Sequence, residues 1–197
     1  MAQTIEPTRS DVCQRVERAH ASLQPLQPAI DRMHLTKLQR LLLTTDGTVT
    51  DIVETNAGER VRVVKLFQDL IAAADPISDM DLEAGNSILF RKILLQGRAS
   101  RANFLYAESV IVPDRLEEGI RDELLLCQIP IGHLIIKNRL ETFREILMWG
   151  KEAAGPLGVY FDVPSYEQVI FRTYRIFAGG QPIMMITEKF PESFYLD

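Results

Sequence analysis

Three charged side chains sit where an apolar pattern has no place for them. In "QPIMMITEKFPESF", residues 181 to 194, a strand from Ile183 to Phe190 puts Glu188 on the same face as Met184, Ile186 and Phe190, because strand side chains alternate between faces. In "SILFRKILLQG", Arg91 shares its face with Leu89, Ile93 and Leu95. In "EQVIFRTYRIFA", Arg175 enters the same frame if Gly179 and Gly180 form a two-residue hairpin loop. Ala178 then faces Gln181, Phe171 faces Glu188 and Arg175 faces Met184, so that residues 171, 173, 175, 184, 186 and 188 share one face. Buried charges need partners. Singly, each of the three could be a solvated rim residue or part of an ion pair with no further task. Together, two arginines and a glutamate on apolar faces fit a pocket for a small anion, since the guanidinium fork grips a carboxylate through two charge-assisted hydrogen bonds.

Other chemistry has weaker support. His20, His34 and His133 show neither HxxxH nor HExxH spacing, so no metal site is expected. Cys13 and Cys127 are the only cysteines and form no CxxC, which excludes a disulfide framework and fits a reducing compartment. Cys127 reads as a core residue on an apolar helix. The Gly179–Gly180 pair is a turn and not a phosphate loop, since neither GxxxxGK[ST] nor GxGxxG occurs. A net charge of -5 with scattered basic residues speaks against a nucleic-acid surface. No apolar run reaches membrane-spanning length, and the start "MAQTIEPTRSDV" lacks a secretory pattern. A cytoplasmic globular protein is the expectation, with one domain over 1–197 and a loose leader over 1–9.

The elements that must position these residues follow from periodicity. A first helix is expected near 10 to 23, ended by Pro25 and Pro28. "LTKLQRLLLTT" and "TVTDIVETNAG" read as two helices joined by a turn at Asp46–Gly47, the second closed by Gly58. The second carries no exposed basic residues, so this helix pair is not a DNA reader. "ERVRVVKLF", "SILFRKILLQG" and "NFLYAESVIVP" read as strands, the last two forming a hairpin through "RASRA". "DRLEEGIRDELLLCQ" is an amphipathic helix leading to "IPIGHL". "RLETFREILMW" fits either a helix or a strand with Phe143, Leu147 and Trp149 on one face. The sum is an α+β fold, one antiparallel sheet of five or six strands with helices on one face.

Taken in order, "LQRLLLTTDGTVTDIVE", "ILFRKILLQG", "YAESVIVPDRL", "IPIGHLI" and "RTYRIFAGGQPIMMITEKFP" resemble the chorismate pyruvate-lyase family, in its shorter bacterial or plastid-type form, over about residues 34 to 192. The resemblance implies elimination of pyruvate from chorismate to give 4-hydroxybenzoate, a step toward prenylated quinones, without metal or cofactor. It implies that Arg91 grips the ring carboxylate and that Glu188 faces the oxygen at the opposite end of the ring. Val49 falls on the helical flap over the pocket, and Ile131 and Gly132 fall on the family's "P-[IL]-G" step. Arg175 has an arginine counterpart and is the candidate for the enolpyruvyl carboxylate. Two roles for Glu188 stay open: orienting the 4-hydroxyl, or accepting the carbon-4 proton as a general base. The resemblance extends to the architecture of effector-sensing domains in bacterial transcription regulators, so a non-catalytic binder of small aromatic acids is the alternative. The short, weakly basic stretch before residue 34 favours the enzyme.

Overall fold

Long runs of β-branched and aliphatic residues in the middle of the chain make strands that are buried on both sides. The computed structural model describes residues 35–126 and 130–196. The expected leader, the helix near 10 to 23, and Cys13, His20, His34 and Cys127 lie outside the described residues. Six strands form one antiparallel sheet: β1 (Val61–Ala72), β2 (Ser87–Gly97), β3 (Asn103–Ile111), β4 (Phe143–Ala153), β5 (Gln168–Ala178) and β6 (Gln181–Pro191). Their spatial order is β1-β2-β3-β6-β5-β4. The last strand therefore lies at the centre of the sheet, between β3 and β5, and its side chains are enclosed by neighbours on either side.

Four helices cover one face: α1 (Lys37–Thr44), α2 (Val49–Ala57), α3 (Glu118–Leu126) and α4 (Ile131–Lys137). Helix α1 starts with a capping box, in which Thr36 and Gln39 satisfy each other's backbone amides through their side chains. Gly58 closes α2 at φ 67°, a left-handed conformation that glycine adopts without strain. Leu42, Leu43, Val49 and Val53 carry the pair down onto the sheet. "RLETFREILMW" resolves as the start of edge strand β4, and "PIGHL", residues 130 to 134, as the first turn of α4. The opposite face is covered by the 73–86 connection and by the segment around a short helix, α5 (Gly158–Phe161), whose Phe161 packs with Leu94, Tyr106 and Val169. No helix among the described residues is long and apolar enough to cross a membrane.

Bulges change which residues share a face. The terminal hairpin turns at Gly179 and Gly180, with φ 57° and 78°, and opens with Ala178 opposite Gln181 as expected. Phe177 then pairs with Pro182 and Ile176 with Met184, leaving Ile183 as the extra residue of a bulge. Proline has no amide to offer a central ladder, so the strand breaks register beside it. Every later pair is shifted by one: Arg172, not Phe171, faces Glu188, and Arg175 faces Met185, not Met184. The expected common face of 171, 173 and 175 with 184, 186 and 188 is thereby corrected to 170, 172, 174 and 176. A second bulge at Leu147 of β4 separates Leu147 from the face of Trp149, which is instead shared by Arg144 and Ile146.

Candidate active site

The helix-covered face is hollow at its centre because the side chains there are short. Two rows of paired residues cross the sheet under the helices. One runs Tyr174, Ile186, Ser109, Arg91; the next runs Arg172, Glu188, Ala107, Ile93. Ser109 and Ala107, both on β3, leave a floor between the arginine of β2 and the glutamate of β6. Two inter-strand steps of about 4.8 Å and two residues of about 3.3 Å put the α-carbons of Arg91 and Glu188 roughly 12 Å apart, with their side chains pointing into the same space. The cavity is narrow, about 50 Å³, below the usual range for small-ligand sites, so a ring-sized ligand has to widen it by moving the roof. Its roof is the turn and first residues of α2, Gly47 to Thr50, and its side wall is Pro130 to Gly132 at the start of α4.

Of the residues expected from sequence, Arg91, Glu188, Val49, Ile131 and Gly132 all line this one cavity. Arg175 does not. The bulge turns it to the opposite face, where Nε donates to Glu145 Oε2 at 2.6 Å and a terminal nitrogen donates to the Asp79 carbonyl at 2.7 Å. It pins the 73–86 connection to the sheet. Sequence reasoning missed Arg172, Tyr174 and Arg144. For the first two a signal existed, Pro182 in a strand that the pattern makes central, whereas Arg144 lies in the segment that read equally well as helix.

Glu188 is held on both oxygens. Arg172 Nε donates to Oε2 at 2.7 Å and the Tyr174 hydroxyl donates to Oε1 at 3.1 Å. Arg172 and Glu188 are 1% and 8% exposed, so this is a buried ion pair. Burial alone would lower the pKa of the Arg172 guanidinium, but the adjacent carboxylate outweighs it and the net shift is upward. Burial, with Glu188 next in weight, raises the Tyr174 phenol, which keeps it a proton donor at neutral pH. A second guanidinium nitrogen of Arg172 donates to the Thr45 carbonyl at 2.7 Å, tying the roof to the ion pair. Arg144 does the same from β4, donating to the carbonyls of Asp46 and Gly47, the latter at 2.7 Å. Both arginines lie over the Tyr174 ring, at 4.7 and 5.7 Å from its centroid.

Arg91 has a different environment. It is 1% exposed, and burial lowers its pKa from the ordinary arginine range to about 10, which leaves it a cation at neutral pH. Across the cavity, His133 Nε2 meets Asp51 Oδ1 at 3.3 Å, linking α4 to α2 at the rim. Among the described residues, no three His, Cys, Asp or Glu side chains gather where they could hold a metal ion. The site can therefore offer cations for carboxylates, a held glutamate and phenol for a hydroxyl, and apolar walls from Ile93, Leu95, Leu105 and Ile186 for a ring.

Comparison with known proteins agrees with this chemistry. Solved structures of like fold include PhnF from Mycobacterium smegmatis, at TM-score 0.60 and 8% identity over 78% of this chain and 67% of that one. The C-terminal domain of the histidine utilization repressor from Pseudomonas syringae superimposes at TM-score 0.55 and 13% identity, over 70% of this chain and 96% of that one. At these identities the likeness is one of fold. Sequence relatives are nearer: a chorismate pyruvate-lyase of Mycobacterium leprae is 34% identical over 174 residues, covering 85% of this chain and 82% of that protein. One of Mycobacterium tuberculosis is 32% identical over 162 residues, 80% and 81% of the two chains. A putative lyase of Methanocaldococcus jannaschii is 30% identical over 77% of each. The family described as "Chorismate pyruvate-lyase Rv2949c-like" matches residues 43–196, which include every residue lining the cavity, and the chain belongs to that family.

Proposed function

We propose that the protein eliminates pyruvate from chorismate, leaving 4-hydroxybenzoate. The observation that carries this reading is the cavity itself, with a buried arginine on one side of its floor and a doubly held glutamate on the other. Chorismate is a dianion. In the elimination the carbon-3 to oxygen bond and the carbon-4 to hydrogen bond break, a double bond forms between the two carbons, and the ring becomes aromatic. The released enolpyruvyl group gains a hydrogen at its methylene carbon and leaves as pyruvate. The gain in aromaticity makes the reaction downhill, so positioning and charge placement supply the acceleration. Arg91 anchors the ring carboxylate, and Glu188, steadied by Arg172 and Tyr174, receives the 4-hydroxyl. With one lone-pair site on each oxygen already taken, the carboxylate is better arranged to orient the ring than to carry off a proton. No metal or cofactor has a step in this scheme.

The fold's likeness to transcription-regulator domains supports one other reading, a binder of aromatic acids that performs no chemistry. Purified, metal-stripped protein incubated with chorismate and followed by chromatography separates the two. The lyase gives 4-hydroxybenzoate and pyruvate in equal amounts, and Arg91→Ala loses them. Thermal protection by chorismate without product would favour the binder. Glu188→Gln should retain measurable turnover if the side chain only orients. A loss as complete as that of Arg91→Ala would assign the proton transfer to the carboxylate.

A further inference from the structure

The cavity has a second cation whose charge is met by no carboxylate among the described residues. Arg144 projects from edge strand β4 onto the helix-covered face and lines the cavity opposite Arg91. Among the described residues, its partners are the carbonyls of Asp46 and Gly47 and the face of Tyr174. Its Nε is buried and has no acceptor among them. Backbone carbonyls and a ring satisfy a guanidinium only in part, because none carries a negative charge. Glu188 is matched by Arg172, which leaves Arg144 without a described carboxylate at its end of the cavity. The first turn of α2, at Thr48 to Thr50, borders the same space with no side-chain cap on its amides, and a helix N-terminus adds to the positive potential. A monoanionic ligand held at Arg91 would leave the Arg144 end unmatched.

Resting on the lyase reading, we propose that Arg144 binds the second carboxylate of a dianionic substrate, the one on the ether side chain, and that its idle Nε is the donor kept for it. The residue the sequence offered for this task, Arg175, is committed on the other face. Arg144 also holds the roof turn through Asp46 and Gly47, so the group that reads the second carboxylate is the group that pins the flap. A substrate with both carboxylates engages both ends of the cavity. After cleavage, the ring product keeps only its carboxylate at Arg91, and the Arg144 end is left to pyruvate.

The test compares two stable ligands by calorimetry. One is 4-hydroxybenzoate; the other is 3-(carboxymethoxy)-4-hydroxybenzoate, which adds an ether-linked carboxylate at the position chorismate carries its own. Arg144→Gln should weaken the dianion by about 30-fold or more, the order expected for a lost charge-assisted bidentate contact, and change 4-hydroxybenzoate by less than about threefold. Arg144→Lys keeps the charge and should fall between wild type and Arg144→Gln for the dianion alone. It is the variant to read if the glutamine protein does not fold. Arg91→Gln should weaken both ligands. Equal weakening of both by Arg144→Gln would reduce Arg144 to a flap tie and overturn the proposal, as would no effect on either. In those cases the lyase reading survives wherever wild-type protein turns over chorismate. A wild type that binds neither acid and makes no product overturns both.

Discussion

At the scale of single residues, the site contains two kinds of buried charge. Arg172 and Glu188 neutralise each other, and removing either one would strand the other in the core, a change that generally costs about 3–5 kcal/mol. Arg91 is instead a cation whose dominant perturbation is burial itself. Its folded-state pKa, about 10, lies below the ordinary arginine range, so the charged form is disfavoured in the folded protein. This penalty is present in full below pH 10 and is relieved as pH rises toward the unfolded value. Arg91→Met should lower kcat/KM for chorismate by at least about 100-fold, and a variant within about threefold of wild type would remove Arg91 from the carboxylate site.

At the scale of elements, the flap is held by contacts that belong to different parts of the fold. Arg172 and Arg144 hold its turn, Thr36 and Gln39 hold α1 to the chain end through the carbonyls of Tyr195 and Glu192, and Asn56 reaches the Phe194 carbonyl. Against α4 the fit is close. A Cβ built on Gly132 would lie 2.8 Å from Thr48 Cγ2, closer than real contacts allow. Thr48 is the residue before α2 and cannot retreat into the cavity without moving the roof. Gly132→Ala should therefore push the flap outward, weakening 4-hydroxybenzoate by about tenfold, mainly through faster dissociation. Stopped-flow displacement reads this directly, and an unchanged dissociation rate would show that α4 does not govern closure. The element scale is also where the sequence was easiest and hardest to read. The Gly58 stop, the Gly179–Gly180 turn and the alternation on β2 and β6 are local, and each placed its element. Face assignment on β4 and β5 depended on bulges at Leu147 and Ile183 that only strand pairing fixes. A one-residue slip inverts a strand, which is why Arg175 stood in for Arg172, whereas Arg144 went unnoticed because its segment read equally well as helix.

At the scale of the whole molecule, the two faces of the sheet do different work. The face covered by the 73–86 connection and by α5 is packed with Phe90, Met80, Val110 and Phe161, while the face under the helices keeps a void over Ala107 and Ser109. A fold that leaves its centre empty gives up packing there, and a ligand supplies it. Linkage makes this measurable: a ligand at about 100 times its dissociation constant stabilises by about 2.7 kcal/mol, or about 5–10 °C for a domain of this size. Ala107→Phe turns the argument around. The residue is 5% exposed and faces the void, about 50 Å³, from the central part of β3, so a ring there takes the ligand's place and pushes neighbouring side chains aside. The free variant should unfold about 3–10 °C below wild type, since overpacking commonly costs about 1–3 kcal/mol. It should bind no 4-hydroxybenzoate, show no ligand-dependent shift and form no product from chorismate. A variant that keeps the ligand-dependent shift would put the binding site elsewhere, and one that unfolds at the wild-type temperature would mean that the roof yields to a ring at no cost.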